Sequence, residues 1–204
     1  MENGFIYLVF RFVLEKLRFL TLVEWFKRIG HLFCGKNKDK AARQVSDRVA
    51  VDVYIVLKWA FVFVILLSSF TNNVVTAIVW YLLFANIYSY FYHHIWSDEA
   101  IKLQHMDIDR ARRRFINLLL ALGFSDLCFA YLYRLPYGLD YNWSGSITNT
   151  KAIWFSISNS FAANYETVAP ISDIGNSVAM TQLVITFIFV TIIISKSIPQ
   201  YSKD

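Results

Sequence analysis

Four apolar runs, each long enough to cross a bilayer, constrain this chain more than any other feature. A hydrocarbon layer of about 30 Å needs roughly 20 mostly apolar residues of helix. Such runs lie at Val51–Phe70, Val74–Tyr92, Phe115–Leu135 and Ser177–Ile198. Inside lipid the backbone must satisfy its own hydrogen bonds, so all four are predicted to be α-helices. The turn Thr71-Asn72-Asn73 is short enough to make the first two an antiparallel hairpin. Composition agrees, with 56% hydrophobic and 18% aromatic residues against only 3 prolines. That is far from the average of a soluble domain.

Lysine and arginine counts set the expected orientation. Residues 1–50 carry ten and residues 93–114 carry five, whereas the turn at 71–73 carries none and the stretch 135–176 carries only Lys151. Positive residues stay inside, which predicts both termini on the cytoplasmic side. The net charge of +5 is therefore a topology signal and gives no reason to expect nucleic-acid binding. Residues 5–28 read as one interfacial helix on the inner leaflet, too often interrupted by charge to span. Residues 35–48 read as a polar, basic linker. The N-terminus lacks a positive n-region and a small-residue cleavage site, so the chain is expected to insert through its own spans.

Between the third and fourth runs, Thr150–Ala163 is too short and too polar to cross. It is predicted to be a helix that re-enters the membrane, which only surrounding protein can shelter. The stretch Trp154–Pro170, WFSISNSFAANYETVAP, aligns without a gap to the pattern YFSxxTxTTVGYGDxxP. It resembles the pore helix and selectivity filter of the potassium-channel superfamily. Trp154, Phe155 and Ser156 match the start of the pore helix, Tyr165 the filter tyrosine and Pro170 the proline beyond. Ile174, Gly175 and Gln182 resemble the beginning of that family's inner helix. Asn164 and Glu166 stand where the filter glycines belong, and Phe161-Ala162-Ala163 replaces Thr-Thr-Val. A potassium filter is a ring of backbone carbonyls, in conformations that glycine reaches cheaply and glutamate does not. The frame of a pore is kept and the potassium filter is lost.

The resemblance implies an all-α membrane protein assembled as a cyclic tetramer, because one such loop cannot surround an axis. The expected organisation is a cytoplasmic or interfacial segment 1–50, a transmembrane hairpin 51–94, a cytoplasmic loop 95–114, a pore-like module 115–198 and a tail 199–204. Asn164, Tyr165, Glu166 and Thr167 are the filter-like candidates, and four copies of Glu166 would form a carboxylate ring that favours cations. Glu166 could instead pair with Lys151 or face water. On the last helix Thr181, Gln182, Thr186 and Thr191 are candidates for lining a pore. Interhelical hydrogen bonding is the other use of such residues. Phe187 and Phe189 could gate, or face lipid and pack.

Lys58 and Asp126 are the charges inside the spans. Their heights differ by roughly 6 Å at about 1.5 Å per residue, so they are expected to pair. Arg110, Arg112, Arg113 and Arg114 lie at the inner membrane edge, where they could hold anionic lipid or a partner. His93, His94 and His105 stand near acidic residues, but their spacing matches no metal motif. Cys34 and Cys128 give no disulfide framework. No phosphate loop, nucleophile elbow or cofactor motif is present, and an enzyme is not expected.

In size, span count and degenerate pore pattern the chain also resembles the membrane subunits of Kiwa antiphage defence systems. That resemblance implies a tetramer in the bacterial inner membrane, in contact with its lipids, that senses phage-induced perturbation and works with a soluble, DNA-binding partner protein. Three functions therefore compete: a weakly selective cation channel, a membrane sensor or scaffold that recruits a cytoplasmic effector, and a carrier. The carrier ranks last because no inverted repeat is visible.

Overall fold

The computed structural model describes residues 4–17, 21–34, 40–92, 96 and 108–197. They form seven α-helices: α1 (Phe5–Leu17), α2 (Leu22–Cys34), α3 (Lys40–Ser68), α4 (Asn73–Phe91), α5 (Ile108–Arg134), α6 (Asn149–Ser160) and α7 (Asp173–Ser197). Two short strands, β1 (Tyr141–Trp143) and β2 (Val168–Pro170), flank α6. Four helical stretches are long and apolar enough to cross a bilayer: Val45–Ser68, Asn73–Phe91, Phe115–Arg134 and Asp173–Ile192. By length and composition this is a multi-pass membrane protein.

The chain divides into two compact units, residues 1–60 and 61–204. In the first, α2 packs on the early turns of α3. The Phe26 and Tyr54 rings lie 5.4 Å apart. Gly30 lets the helices approach, since a Cβ there would lie 3.1 Å from Ser46 Oγ. Two expectations are corrected in this unit. The single helix over 5–28 is two helices, with a bend at Thr21 and with residues 18–20 outside the described set. The linker over 35–48 is helical from Lys40 onward, because Lys40-Ala-Ala-Arg-Gln is a run of good helix formers that α3 extends through. Residues 35–39 lie outside the described set.

The second unit is built around α5, whose segment 128–133 is buried on every side. Its N-terminal half packs with α4 and α7 through Leu118, Ala121, Phe189 and Ile192. Ala121 is small enough for Asn86 Nδ2 of α4 to donate to its carbonyl at 2.9 Å. Tyr90 Oη donates to Asn117 O at 2.7 Å. At the other end Arg134 donates to Leu66 O (3.2 Å) and Ser69 Oγ (3.0 Å), placing a cation on the last carbonyls of α3. The next turn is capped by Asn72, whose side chain accepts from Val75 N at 2.8 Å.

Helix α6 has twelve residues, about 18 Å of rise, too short to cross the hydrocarbon layer. Thr148 caps its start, accepting from Lys151 N. Its end is a Schellman turn: Ala163 N donates to Ser158 O, Ala162 N donates to Asn159 O, and Ala162 carries a φ of 51°. The helix therefore stops three residues before the end predicted from sequence.

The two strands pair antiparallel, Asn142 opposite Ala169, an element not expected from sequence. The pair fixes where α7 begins. Ser172 caps that helix, accepting from Gly175 N at 3.0 Å and donating to Asp140 Oδ1 at 2.6 Å. Tyr141 Oη donates to Gly175 O at 2.7 Å. This cap starts α7 at Asp173, four residues before the apolar run. Burial first, then the nearby Asp140 and Tyr137, hold the Tyr141 phenol well above its ordinary pKa, so it donates at any ordinary pH.

Two glycine–alanine exchanges should have opposite signs. A Cβ at Gly175 would lie 2.6 Å from Asp140 O, so Gly175→Ala should destabilise by about 1–3 kcal/mol through overpacking. Ala162→Gly should stabilise by about 1 kcal/mol by relieving the left-handed conformation. Thermal unfolding of the purified protein in detergent checks both.

Candidate functional site

The most concentrated polar chemistry of the second unit lies where α6 ends against α5 and α7. Asp126 is near the middle of the α5 span, and Gln182 is nine residues into α7. Both are brought to Ser156, Asn159 and Ser160, on the last turns of α6. These positions follow from helical spacing. Residues 152, 155, 156 and 160 make the buried face of α6. Residues 175, 178, 179, 182, 186 and 189 make the buried face of α7.

Gln182 is 0% exposed and joins all three helices. Its carbonyl oxygen accepts from Tyr133 Oη of α5 at 2.5 Å and from Asn159 Nδ2 of α6 at 2.9 Å. Its amide nitrogen lies 2.7 Å from Ser156 Oγ, 2.8 Å from Ser160 Oγ, 3.0 Å from Ser156 O and 3.2 Å from Asp126 Oδ1. Two N–H bonds are thus shared among four acceptors. Asp126 Oδ1 also accepts from Ser160 Oγ, and the Asp126 carbonyl accepts from Ser156 Oγ at 2.7 Å. Asn159 closes the set by donating to Ala179 O at 3.0 Å. Thr186 Oγ1 reaches Ser160 Oγ at 3.4 Å.

Aromatic rings cover this network. Tyr133 lies edge-on to Phe155 at 4.8 Å and to Tyr141 at 5.1 Å. Phe129 follows at 5.9 Å from Tyr133. Edge-to-face pairs of this kind add specific geometry to the burial of large apolar surface.

The sequence candidates fall into distinct places. Gln182 and Thr186 are turned into the chain, 0% and 3% exposed. Thr181 is half-buried and Thr191 exposed, and each back-bonds to the carbonyl four residues earlier, Ser177 O and Phe187 O. Phe189 is buried, 5.9 Å from the Tyr90 ring, whereas Phe187 is 71% exposed. The outward stripe of α7 is thus Ile174, Ser177, Met180, Val184, Phe187 and Thr191.

The filter-like segment is a tight turn: Val168 N donates to Tyr165 O at 3.0 Å, and Ser144 N donates to Thr167 O at 2.8 Å. Asn164 and Glu166 are exposed, and Tyr165 and Thr167 half-buried. The left-handed residue of the segment is Ala162, not Asn164 or Glu166. Lys151 Nζ donates to Ser144 O (2.5 Å) and Ser146 O (3.0 Å), tying down the loop before α6.

Lys58 is buried and lies 5.7 Å from the Tyr54 ring centroid. In the other unit, Asp126 is met by the neutral donors Ser160 and Gln182. Arg110, Arg112, Arg113 and Arg114 are in the first turns of α5. Arg112 is exposed and Arg113 half-buried, while the side chains of Arg110 and Arg114 lie outside the described set. The histidine cluster considered for metal, His93, His94 and His105, also lies outside it. Among the described residues no group of His, Cys, Asp and Glu could hold a metal ion. Cys128 is buried.

Sequence reasoning missed Ser156, Asn159, Ser160 and Tyr133 as members of one network. The readable signal was three polar residues recurring at 156, 159 and 160 on a short helix otherwise rich in Ile and Phe. Comparison with protein-family models, curated proteins and solved structures finds no match to this chain.

Gln182→Leu should strand the Tyr133 hydroxyl as a donor, with Asn159 losing one acceptor and the serines losing their shared donor. Each unsatisfied buried group costs about 1–3 kcal/mol. The substitution should therefore lower the unfolding temperature far more than Thr191→Val on the exposed face of the same helix. Equal effects would contradict this account of the network.

Proposed function

We propose that this chain is the subunit of an oligomeric, multi-pass inner-membrane protein whose pore-like module serves as a membrane sensor and scaffold for a cytoplasmic effector. The reading is supported by the short helix α6, whose last turns meet Asp126 of one long apolar helix and Gln182 of another. The observation that carries the scaffold reading over a conducting one is the burial of Gln182 and Thr186. Two of the four polar side chains that a wet lumen would use are thus consumed inside one chain. The turn over Tyr165–Val168 adds to this, since a filter needs an extended row of carbonyls aimed at an axis.

On this reading the outward stripe of α7 meets other copies, with four around one axis. The basic first turns of α5 then face the cytoplasm, and Arg112 is exposed there. The resemblance to Kiwa membrane subunits makes the partner a soluble DNA-binding protein and the stimulus a phage-induced disturbance of the bilayer. A second reading, a weakly selective cation channel, is favoured by the exposure of Glu166, four copies of which would put carboxylates at the outer mouth.

Current through planar bilayers from intact oligomers, wild type beside Glu166→Gln, tests the choice. The scaffold reading predicts no discrete conductance from either protein. Unitary currents whose cation preference changes with the substitution would overturn it in favour of the channel. Recruitment has its own readout. Reversing charge at Arg112 and Arg113 should abolish co-purification of a soluble protein while leaving membrane insertion intact.

A further inference from the structure

Helix α1 leaves its apolar surface open. Eight large apolar residues between Phe5 and Val13 are 43–80% exposed, and no residue of the helix is buried. Its 13 residues rise about 20 Å, too little to cross a bilayer. Charge is confined to the Arg11/Glu15 face, where Nε and Oε1 are 2.8 Å apart, and to Lys16. Lys16 leans back over the exposed Phe12 ring, 5.5 Å from its centroid.

Helix α2 repeats this arrangement. One face carries Val23, Phe26 and Gly30 against α3, while a separate stripe of Leu22, Trp25 and Ile29 is exposed. Arg28 lies over the Trp25 ring at 5.7 Å. Each helix thus presents an uncovered aromatic ring with a cation drawn against it. An aromatic ring rests at headgroup depth, and a long basic side chain reaches from apolar surface to a phosphate.

We infer that α1 and α2 lie in the plane of the membrane interface and that the pairs Phe12/Lys16 and Trp25/Arg28 bind headgroups of anionic phospholipid. The bilayer is the occupant that fits. The four spans keep it within reach. A second copy docking on α1 would cover one stripe, whereas α1 exposes apolar residues around most of its circumference. Basic residues at the edge of the exposed surface complement an anionic leaflet. This deepens the sensor reading by naming the lipid it contacts. The contact itself requires only that the chain be a membrane protein, so the two can fail separately.

The test uses the full chain in lipid nanodiscs, with Cys34 and Cys128 replaced by alanine and spin labels placed singly at Phe10, Glu15 and Ile29. Labels at Phe10 and Ile29 should collide with oxygen more than with a water-soluble nickel chelate, at a depth of about 5–10 Å. The label at Glu15 should do the reverse. In native mass spectrometry, K16Q/R28Q should retain less phosphatidylglycerol relative to phosphatidylcholine, by about fivefold per cation removed. Water-accessible labels at Phe10 and Ile29 would overturn the inference, as would labels shielded from both reagents or placed at the bilayer midplane. Unchanged lipid retention in K16Q/R28Q would overturn the headgroup assignment.

Discussion

The carboxamide of Gln182 is the interaction on which the architecture of the second unit depends. Its oxygen accepts one hydrogen bond from Tyr133 of α5 and another from Asn159 of α6, while its nitrogen serves Ser156, Ser160 and Asp126. Tyr133, Asn159 and Asp126 also reach both other helices, and each of them does so through a bond to Gln182. In a membrane-spanning bundle the hydrophobic effect does little to hold helix on helix, because lipid is as apolar as leucine. What discriminates one packing from another is shape and the satisfaction of buried polar atoms. A short helix can turn Ser156, Asn159 and Ser160 toward two spans only if those groups find partners there. Gln182 and Asp126 are those partners.

That arrangement has a consequence for function. A polar network closed within one chain stiffens the second unit and leaves the outward stripe of α7 mostly apolar. The outward stripe of α7, from Ile174 through Phe187, is then free for contact with lipid or with other copies. The segment from Phe161 to Thr167 is held at its ends, by the Schellman turn on one side and by the β1–β2 pair on the other. Lys151 braces the opposite loop by donating to two backbone carbonyls. Such bracing suits a structural platform, and it leaves Glu166 displayed at the surface.

Much of this fold was legible in the sequence, because hydropathy is a local property summed over a window. All four spans were readable, and boundaries moved only where caps or helix formers extended a helix, as Ser172 does for α7 and Lys40-Ala-Ala-Arg-Gln does for α3. The short helix before the last span was readable from its length and polarity. The break at Thr21 was not, since the apolar pattern runs on either side of it. The β1–β2 pair was not, because three residues are too few to show alternation. The neutral donors to Asp126 were not legible, because Ser160 and Gln182 reach it only where α6 ends against α5 and α7. Gln182 itself was singled out, with pore lining and interhelical hydrogen bonding both open, and choosing between them needs knowledge of where the neighbouring helix lies.

Amide hydrogen exchange of wild type and Gln182→Leu, resolved by peptide, tests the central claim most directly. The account predicts that exchange accelerates in Asn149–Ser160 and in the α7 turn around Ala179, while α4 keeps its protection. Unchanged protection of α6 in the variant would contradict it and would mean that apolar packing alone holds the short helix in place.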